Sequence, residues 1–429
     1  DWIGQIPEEW EVRPIKNIVE TPVTDGPHET PMLYETGIPF LSAEAVKDGI
    51  LDFNYKRGYI SLRDHERFKK KVSPKKDDIF IVKSGATTGN VGIVNTDEIF
   101  DIWSPLALVR SKNTLAIQKY IYFYLLSTLF KAQVEFNWSF GTQQNIGMGV
   151  IERIKVILPP ISEQERIVEI LDKKTAQLDK AKALLEEQIQ KLRDYRASLI
   201  YETVTKGLDK NVPMKDSGID WIGQVPEGWG VKRLKYLVNK IGSGKTPLGG
   251  SEIFEETGIL FIRSQNVHNG LIQLEDKSTY INRNIHRQMI GTSVEKNDIL
   301  LNITGASIGR VAKYDLDVEA NVNQHVCIIR CDRFVLPDYL MYFIMSEFGQ
   351  FMIKIHQISG NREGLSFDNI GNFKIIIPDL DYQYKISQYL NKKMLIINQM
   401  IKTKDQQIEN INKQRQTLIY DYVTGKRRV

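Results

Sequence analysis

The chain has 429 residues, 42% of them hydrophobic and 26% charged, a length beyond what one core fills and a composition that excludes wholesale disorder. No stretch reaches the run of about 18 apolar residues a membrane span needs, and no charged segment leads into an apolar run at the start, so the expected address is cytoplasmic with no membrane partner. A net charge of +4 and a pI near 8.7 permit a nucleic-acid partner without demanding one.

The opening segment DWIGQIPEEWEVRPIKNIVE returns at 220–239 as DWIGQVPEGWGVKRLKYLVN, with 11 of 20 positions identical. Further matched pairs begin at Thr36 and Thr257, at Asp77 and Asn297, and at Ile151 and Ile370, so the offset stays within 219 to 221. Two halves with one fold and nearly equal loop lengths are expected. The second copy is preceded by KDSGI, whereas the first begins at Asp1 without Met, and a few further residues are expected upstream. Trp2, Trp10, Trp221 and Trp229 recur in both frames beside Pro7 and Pro226, which favours packing anchors over base-stacking groups.

Within each half, β-branched runs such as Asp78 to Val82 and Asp298 to Ile303 are punctuated by Gly, Asn and Asp and predict strands and turns. The aromatic segment from Tyr120 to Phe130, matched by Tyr339 to Phe348, predicts helix. Each globular unit is therefore expected to be mixed α+β.

From Ser162 to about Thr205, and from Asp381 to about Thr424, the chain turns to Glu, Gln, Lys, Leu and Ile with no internal Pro or Gly. Pro159, Pro160 and Pro378 block helix upstream, and Gly207 and Gly425 supply stops. Leu171, Leu178, Leu185, Leu192 and Leu199 stand seven apart, and Leu390, Ile397, Lys404, Ile411 and Leu418 repeat the spacing. That is a coiled-coil seam, and antiparallel pairing of the two helices would give pseudo-twofold symmetry. Lys182, Arg196, Lys404 and Arg415 also fall on the seam, so other subunits or the domains are expected to cover part of it. The expected organisation is a domain over 1–160, a helix over 161–207, a linker over 208–219, a second domain over 220–379 and a second helix over 380–425.

Catalytic patterns fail on inspection. The run from Gly242 to Thr246 ends like a phosphate loop, but the required earlier Gly is Asn239, and a flexible basic loop is the better reading. The segments Ser84 to Gly89 and Thr304 to Gly309 lack a dinucleotide-binding frame. The six histidines show no metal-ligand spacing, and Cys327 and Cys331 read as reduced thiols. No Asp/Asn-Pro-Pro-aromatic tetrapeptide of the amino-methyltransferase kind occurs, since Pro159-Pro160 lies between Leu158 and Ile161. The chain reads as a binder with no catalytic residue, no metal and no cofactor of its own.

DWIGQIPEEW, its copy DSGIDWIGQVPEGW, and LPPISEQERI leading into a long helix together resemble the DNA-specificity subunit of Type I restriction-modification systems, over essentially the whole chain. The resemblance implies two target recognition domains, each reading one half of a split double-stranded DNA sequence, held apart by two helical regions. It further implies two methyltransferase subunits docked on the helices and carrying S-adenosylmethionine, with restriction motor-nuclease subunits as additional partners. A helix of about 43 residues runs ~65 Å, between one and two turns of duplex at ~34 Å each, which implies an unread spacer.

Base edges need paired donors and acceptors, so polar residues in turns between strands are the candidates. In the first copy these are Lys83, Ser84, Thr87, Thr88 and Asn90, with Thr142, Gln143, Gln144 and Asn145. In the second they are Arg263, Ser264, Gln265, Asn266, Thr304, Ser307, Arg310, Asn361 and Arg362. For each one, a turn bonded to its own backbone is the competing reading. Basic residues at 69–71, 75, 76, 283 and 287 fit either phosphate contact or a solvated face. Two rivals stand beside the DNA reader: a coiled-coil scaffold joining two protein-binding domains, and a self-contained methyltransferase.

Overall fold

The computed structural model describes residues 4–140, 144–247, 249–274, 278–358 and 364–429. It forms two compact units, Asp1–Glu186 with Asp405–Val429, and Glu187–Lys404. The division passes through both long helices, so each unit holds one globular copy and a segment of each helix.

In the first unit the run Ile79–Val82 is buried at every position. Its side chains alternate: Ile79 and Ile81 enter one core with Tyr120, Phe123 and Phe130, while Phe80 and Val82 enter another with Leu41, Ile102 and Leu106. A continuous apolar run with period two is the signature of a strand covered on both faces. It pairs antiparallel with Leu106–Val109 and Val91–Ile93 at the centre of a six-stranded sheet whose outer strand on one side is Thr24–Asp25. Gly58–Ile60, Ile38–Leu41 and Asp101–Ile102 make a smaller sheet, and Glu11–Pro14 pairs with Lys155–Leu158.

The second unit repeats the plan. Ile299–Asn302 lies between Val326–Cys331 and Val311–Lys313, with Ile299 and Leu301 in one core and Leu300 in the other. Gly230–Arg233 pairs with Lys374–Ile377, as their counterparts do in the first copy. The segment expected to be a plain linker carries a short strand, Met214–Asp216, paired with Gln224–Pro226.

The aromatic segments break where one helix was expected. Helices Gln118–Leu126 and Thr128–Phe136 meet at Ser127, whose extended backbone interrupts the helix and whose hydroxyl accepts from the Phe130 N–H. Ser346 does the same between Pro337–Met345 and Glu347–Ile358. A serine N-cap outcompetes helix continuation at both places.

The long helices run Ile161–Lys206 and Leu380–Val423 and stop at Gly207 and Gly425, both at positive φ. They pair antiparallel in each unit: Glu163 meets Arg428 and Asp179 meets Arg415 in the first, while Gln188 meets Lys404 and Arg196 meets Asn398 in the second. The polar seam positions are thus answered across the seam, and Lys182 lies 3.8 Å from Glu186 on its own helix. The domains bury the rest: Ile167 and Leu171 join the first globular core, and Leu390 and Met394 join the second.

The tryptophans anchor packing. Trp10 is buried with its indole N–H on Glu163, Trp229 is buried edge-on to Tyr382, and Trp221 stacks on Phe348 at 4.7 Å; Trp2 lies outside the described residues.

Candidate nucleic-acid interface

In the first copy, strand Ile79–Val82 leaves the sheet into Lys83 and a turn through Gly85 and Gly89, both at positive φ. Ser84 bridges Asn145, the Gly85 N–H donates to the Gln144 carbonyl at 3.1 Å, and the Ile146 N–H donates to the Lys83 carbonyl at 2.8 Å. Segments 60 residues apart in the chain therefore form one surface. Thr87, Asn90, Gln144 and Asn145 are exposed there, and Ser84 is half-buried. Thr88 is held by the turn itself, its hydroxyl donating to the Gly85 carbonyl at 2.7 Å. Thr142 and Gln143 lie outside the described residues.

Lys83 does not belong with these groups. It is buried, and its ammonium is ion-paired to Asp25 at the end of strand Thr24–Asp25, two strands over in the sheet, so it has no face for a base edge. Asp25 also receives Lys71 Nζ at 2.6 Å and lies 3.1 Å from His28 Nε2. Burial pulls the Asp25 carboxyl upward, but the hydrogen bonds from Lys71 and Lys83 outweigh it and hold the group below its ordinary value.

The second copy builds the same edge from other chemistry. Thr304 bridges Gly364 as Ser84 bridges Asn145, and Gly305 and Gly309 repeat the positive-φ turn. The Thr304 hydroxyl meets His325 Nδ1, and the Thr246 hydroxyl meets Gln324 on the adjacent loop. Asn302 donates to the Ser264 carbonyl at 2.8 Å and to the Ser307 hydroxyl at 3.1 Å, which holds the backbone at Ser264 and the side chain at Ser307. Asn266 is buried, with its amide on the Gln273 carbonyl, and is likewise removed from the surface. Gln265 and Arg310 are exposed, whereas Arg263 stands over the Phe254 ring with its Nε buried and unpartnered among the described residues. Asn361 and Arg362 lie outside the described residues.

Sequence reading missed Asp25, His28, Thr246, Gln324 and His325. In DGPHET the Asp-Gly-Pro reads as a turn, and only the fold brings Lys71 and Lys83 to that carboxylate. Gly244, in the segment that mimics a phosphate loop, passes against the Val322 carbonyl so closely that a Cβ would lie 1.6 Å from its oxygen, and it follows a strand with no helix directly after it. Close backbone approach explains that glycine. Of the other basic residues, Lys69, Lys71, Lys76 and Arg283 are ion-paired, whereas Lys70, Lys75 and Arg287 have no ion pair among the described residues.

No cluster of His, Cys, Asp or Glu suited to a metal occurs among the described residues. Burial pushes the Cys327 and Cys331 thiols up to about 12, so neither is a nucleophile at neutral pH. No described helix is long and apolar enough to cross a membrane.

A family model described as the Type I restriction modification DNA specificity domain matches the chain twice, at residues 7–192 and 226–410. The Type I restriction enzyme MjaVIII specificity subunit of Methanocaldococcus jannaschii is 26% identical over 441 residues, covering 99% of this chain and 94% of that protein. The Type I restriction enzyme EcoBI specificity subunit of Escherichia coli is 25% identical over 316 residues, covering 71% and 65%. A solved structure described as the structural basis underlying complex assembly and conformational transition of the type I R-M system shares the fold, with a TM-score of 0.68 at 13% identity over 98% of each chain.

Proposed function

The chain belongs to the Type I restriction-modification DNA specificity family, and from that membership we propose that each of its two globular units reads one half of an asymmetric, bipartite target in double-stranded DNA. One observation carries the proposal. The two units present the same loop edge on the same strand frame, but line it with different side chains: an ionic set around Asp25 in one, and Thr246, Gln324, Thr304 and His325 in the other. Like frames with unlike loops give two unlike half-sites.

The paired helices set the unread spacer and dock methyltransferase subunits, two per chain, which hold the S-adenosylmethionine. The chain itself contributes sequence reading and no catalytic group, and motor-nuclease subunits join the same assembly. At 46 residues the first helix spans ~69 Å, about two turns of duplex.

Replacing residues 1–160 by another such domain tests the reading in the complex assembled with its methyltransferase subunits. Sequencing of methylated sites should show one half of the target changed and the other intact. If both halves or neither change, the units are not independent readers. DNA affinity indifferent to salt would instead favour a protein-binding scaffold.

A further inference from the structure

Around Asp25 three nitrogen-bearing side chains converge on one carboxylate: Lys83 just after strand Ile79–Val82, Lys71 from the loop after helix Leu62–Phe68, and His28 from the loop after Thr24–Asp25. The carboxylate is 8% exposed and Lys83 11%, but Lys71 is 42% and His28 73% exposed. The inner pair therefore sits in the core while Lys71 and His28 reach the surface. One negative charge against two ammonium groups leaves an excess positive charge, and that excess lies at the exposed end. Lys71 uses two of its three donors, on Asp25 at 2.6 Å and on the Gly26 carbonyl at 2.8 Å, and among the described residues the third has no partner.

A buried ion pair is an expensive way to fill space, since apolar residues of similar volume do as well or better. The second copy demonstrates the cheaper solution. Its strand partners at these positions are Ser243 and Ile303, with no charge at either. The surrounding frame is unchanged: a Cβ on Gly26 would lie 2.2 Å from the Ile102 carbonyl oxygen, as one on Gly244 would crowd that of Val322. The ion cluster is therefore an addition to the first copy rather than a requirement of the fold. The neighbouring Arg67 does not share its excess charge, being held by Glu29 at 3.0 Å and Asp64 at 2.7 Å.

We propose that this cluster is a phosphate-binding site for the DNA backbone in the first half-site, with Lys71 and His28 as the contacting groups and Asp25, backed by Lys83, as the positioning residue that aims them. Resting on the DNA-reading function above, it reassigns Lys83 from base contact to support and adds two residues, Asp25 and His28, to the interface. Phosphate contact fixes register and orientation on the duplex, so the cluster sets where the Thr87 and Gln144 loops fall along the bases.

The test uses the complex with its methyltransferase subunits and a duplex carrying the methylated sequence, with Kd measured between 0.05 and 0.2 M salt. Lys71→Ala, a change at a half-exposed side chain, should weaken binding and lower the salt slope by about 0.9, so that the ratio of variant to wild-type Kd shrinks about 3.5-fold across that range. Lys71→Arg should restore the slope. Asp25→Asn, which leaves both lysines but removes the charge that aims Lys71, should weaken binding without altering discrimination at the second half-site. An unchanged affinity and slope for Lys71→Ala, in a preparation whose wild type binds with normal salt dependence, overturns the proposal whatever Asp25→Asn does to folding. If the wild type itself shows no salt-dependent binding, the DNA-reading function falls instead.

Discussion

The hydroxyl of Tyr120 donates to the carbonyl of Val423, 303 residues later in the chain, at 3.4 Å, and to that of Ile157 at 2.8 Å. Tyr339 repeats the arrangement with Val204 at 3.4 Å and Ile376 at 2.7 Å. Each globular copy thus pins the end of a helix that follows the other copy, by way of a fully buried phenol whose ionisation is suppressed by burial. Tyr120→Phe should destabilise the first unit by about 1–2 kcal/mol. Hydrogen exchange should quicken at Ile419 to Val423 and stay unchanged at Ile200 to Val204. Equal exchange in variant and wild type at the former would show that the tyrosine does not hold the helix end.

Asp78 is buried and clamped by Arg110 through Nε at 2.7 Å and Nη2 at 2.6 Å, and Asp298 is held by Arg330 through the same atoms at 2.8 and 2.9 Å. Each aspartate also caps the turn before its strand, accepting from the Lys75 or Glu295 N–H at 2.7 Å. Breaking one partner strands a buried charge, so Asp78→Leu or Arg110→Met alone should cost about 3–5 kcal/mol of unit stability. The double variant Asp78→Leu with Arg110→Met should recover part of that loss. Denaturant midpoints for the four proteins of the cycle give the coupling, and strictly additive losses would remove the pair's cooperative role.

Asp101 meets His65 Nδ1 at 2.6 Å, and in the second copy the matching pair is His286 with Asn321, also 2.6 Å apart. Burial raises the Asp101 carboxyl above its ordinary 3.8, against the weaker opposing pull of His65 and Lys69. A raised folded-state value means that the favourable contribution is complete below the unfolded value and is lost as pH rises through the folded one. Ionised Asp101 therefore costs stability at neutral pH. Asp101→Asn, which copies the second unit, should match or exceed the wild-type Tm at pH 7 to 8, with the advantage closing toward pH 4. A variant less stable at pH 8 than at pH 5, relative to wild type, would reverse the sign assigned to this carboxylate.

The duplication and both helices are legible in the sequence because they rest on spacing: an offset near 220 and apolar positions seven apart. The edge loops are half legible. Ser84, Thr87, Gln144 and Asn145 stand out as polar residues in turns, but nothing local distinguishes them from Lys83, which the fold draws inward to Asp25 58 residues away. Asn266 is lost to the core through a nearer partner, the carbonyl of Gln273, which only the folded hairpin brings within reach. One signal lay in plain view. His65 and His286, Asp78 and Asp298, Arg110 and Arg330 recur at the duplication offset, so polar residues repeated in both copies mark buried frame pairs, and unrepeated ones such as Asp25 mark the divergent edge.

The ruler role proposed for the helices has a geometric consequence. An insertion in one helix alone shifts its heptads past those of the partner, but in the first unit the segment near Leu185 runs antiparallel to the segment just after Asp405, on the register set by Asp179 with Arg415. Seven residues inserted after Leu185, matched by seven after Ile408, keep apolar positions facing one another and lengthen the pair by ~10.5 Å. At ~34 Å for ten base pairs that is about three base pairs of duplex. Methylated-site sequencing of cells carrying the doubly extended chain should return the same two half-sites with a spacer longer by about three. Retention of the original spacer by an active, extended complex would mean that something other than helix length sets the distance. A change in either half-site would mean that the helices also orient the reading edges.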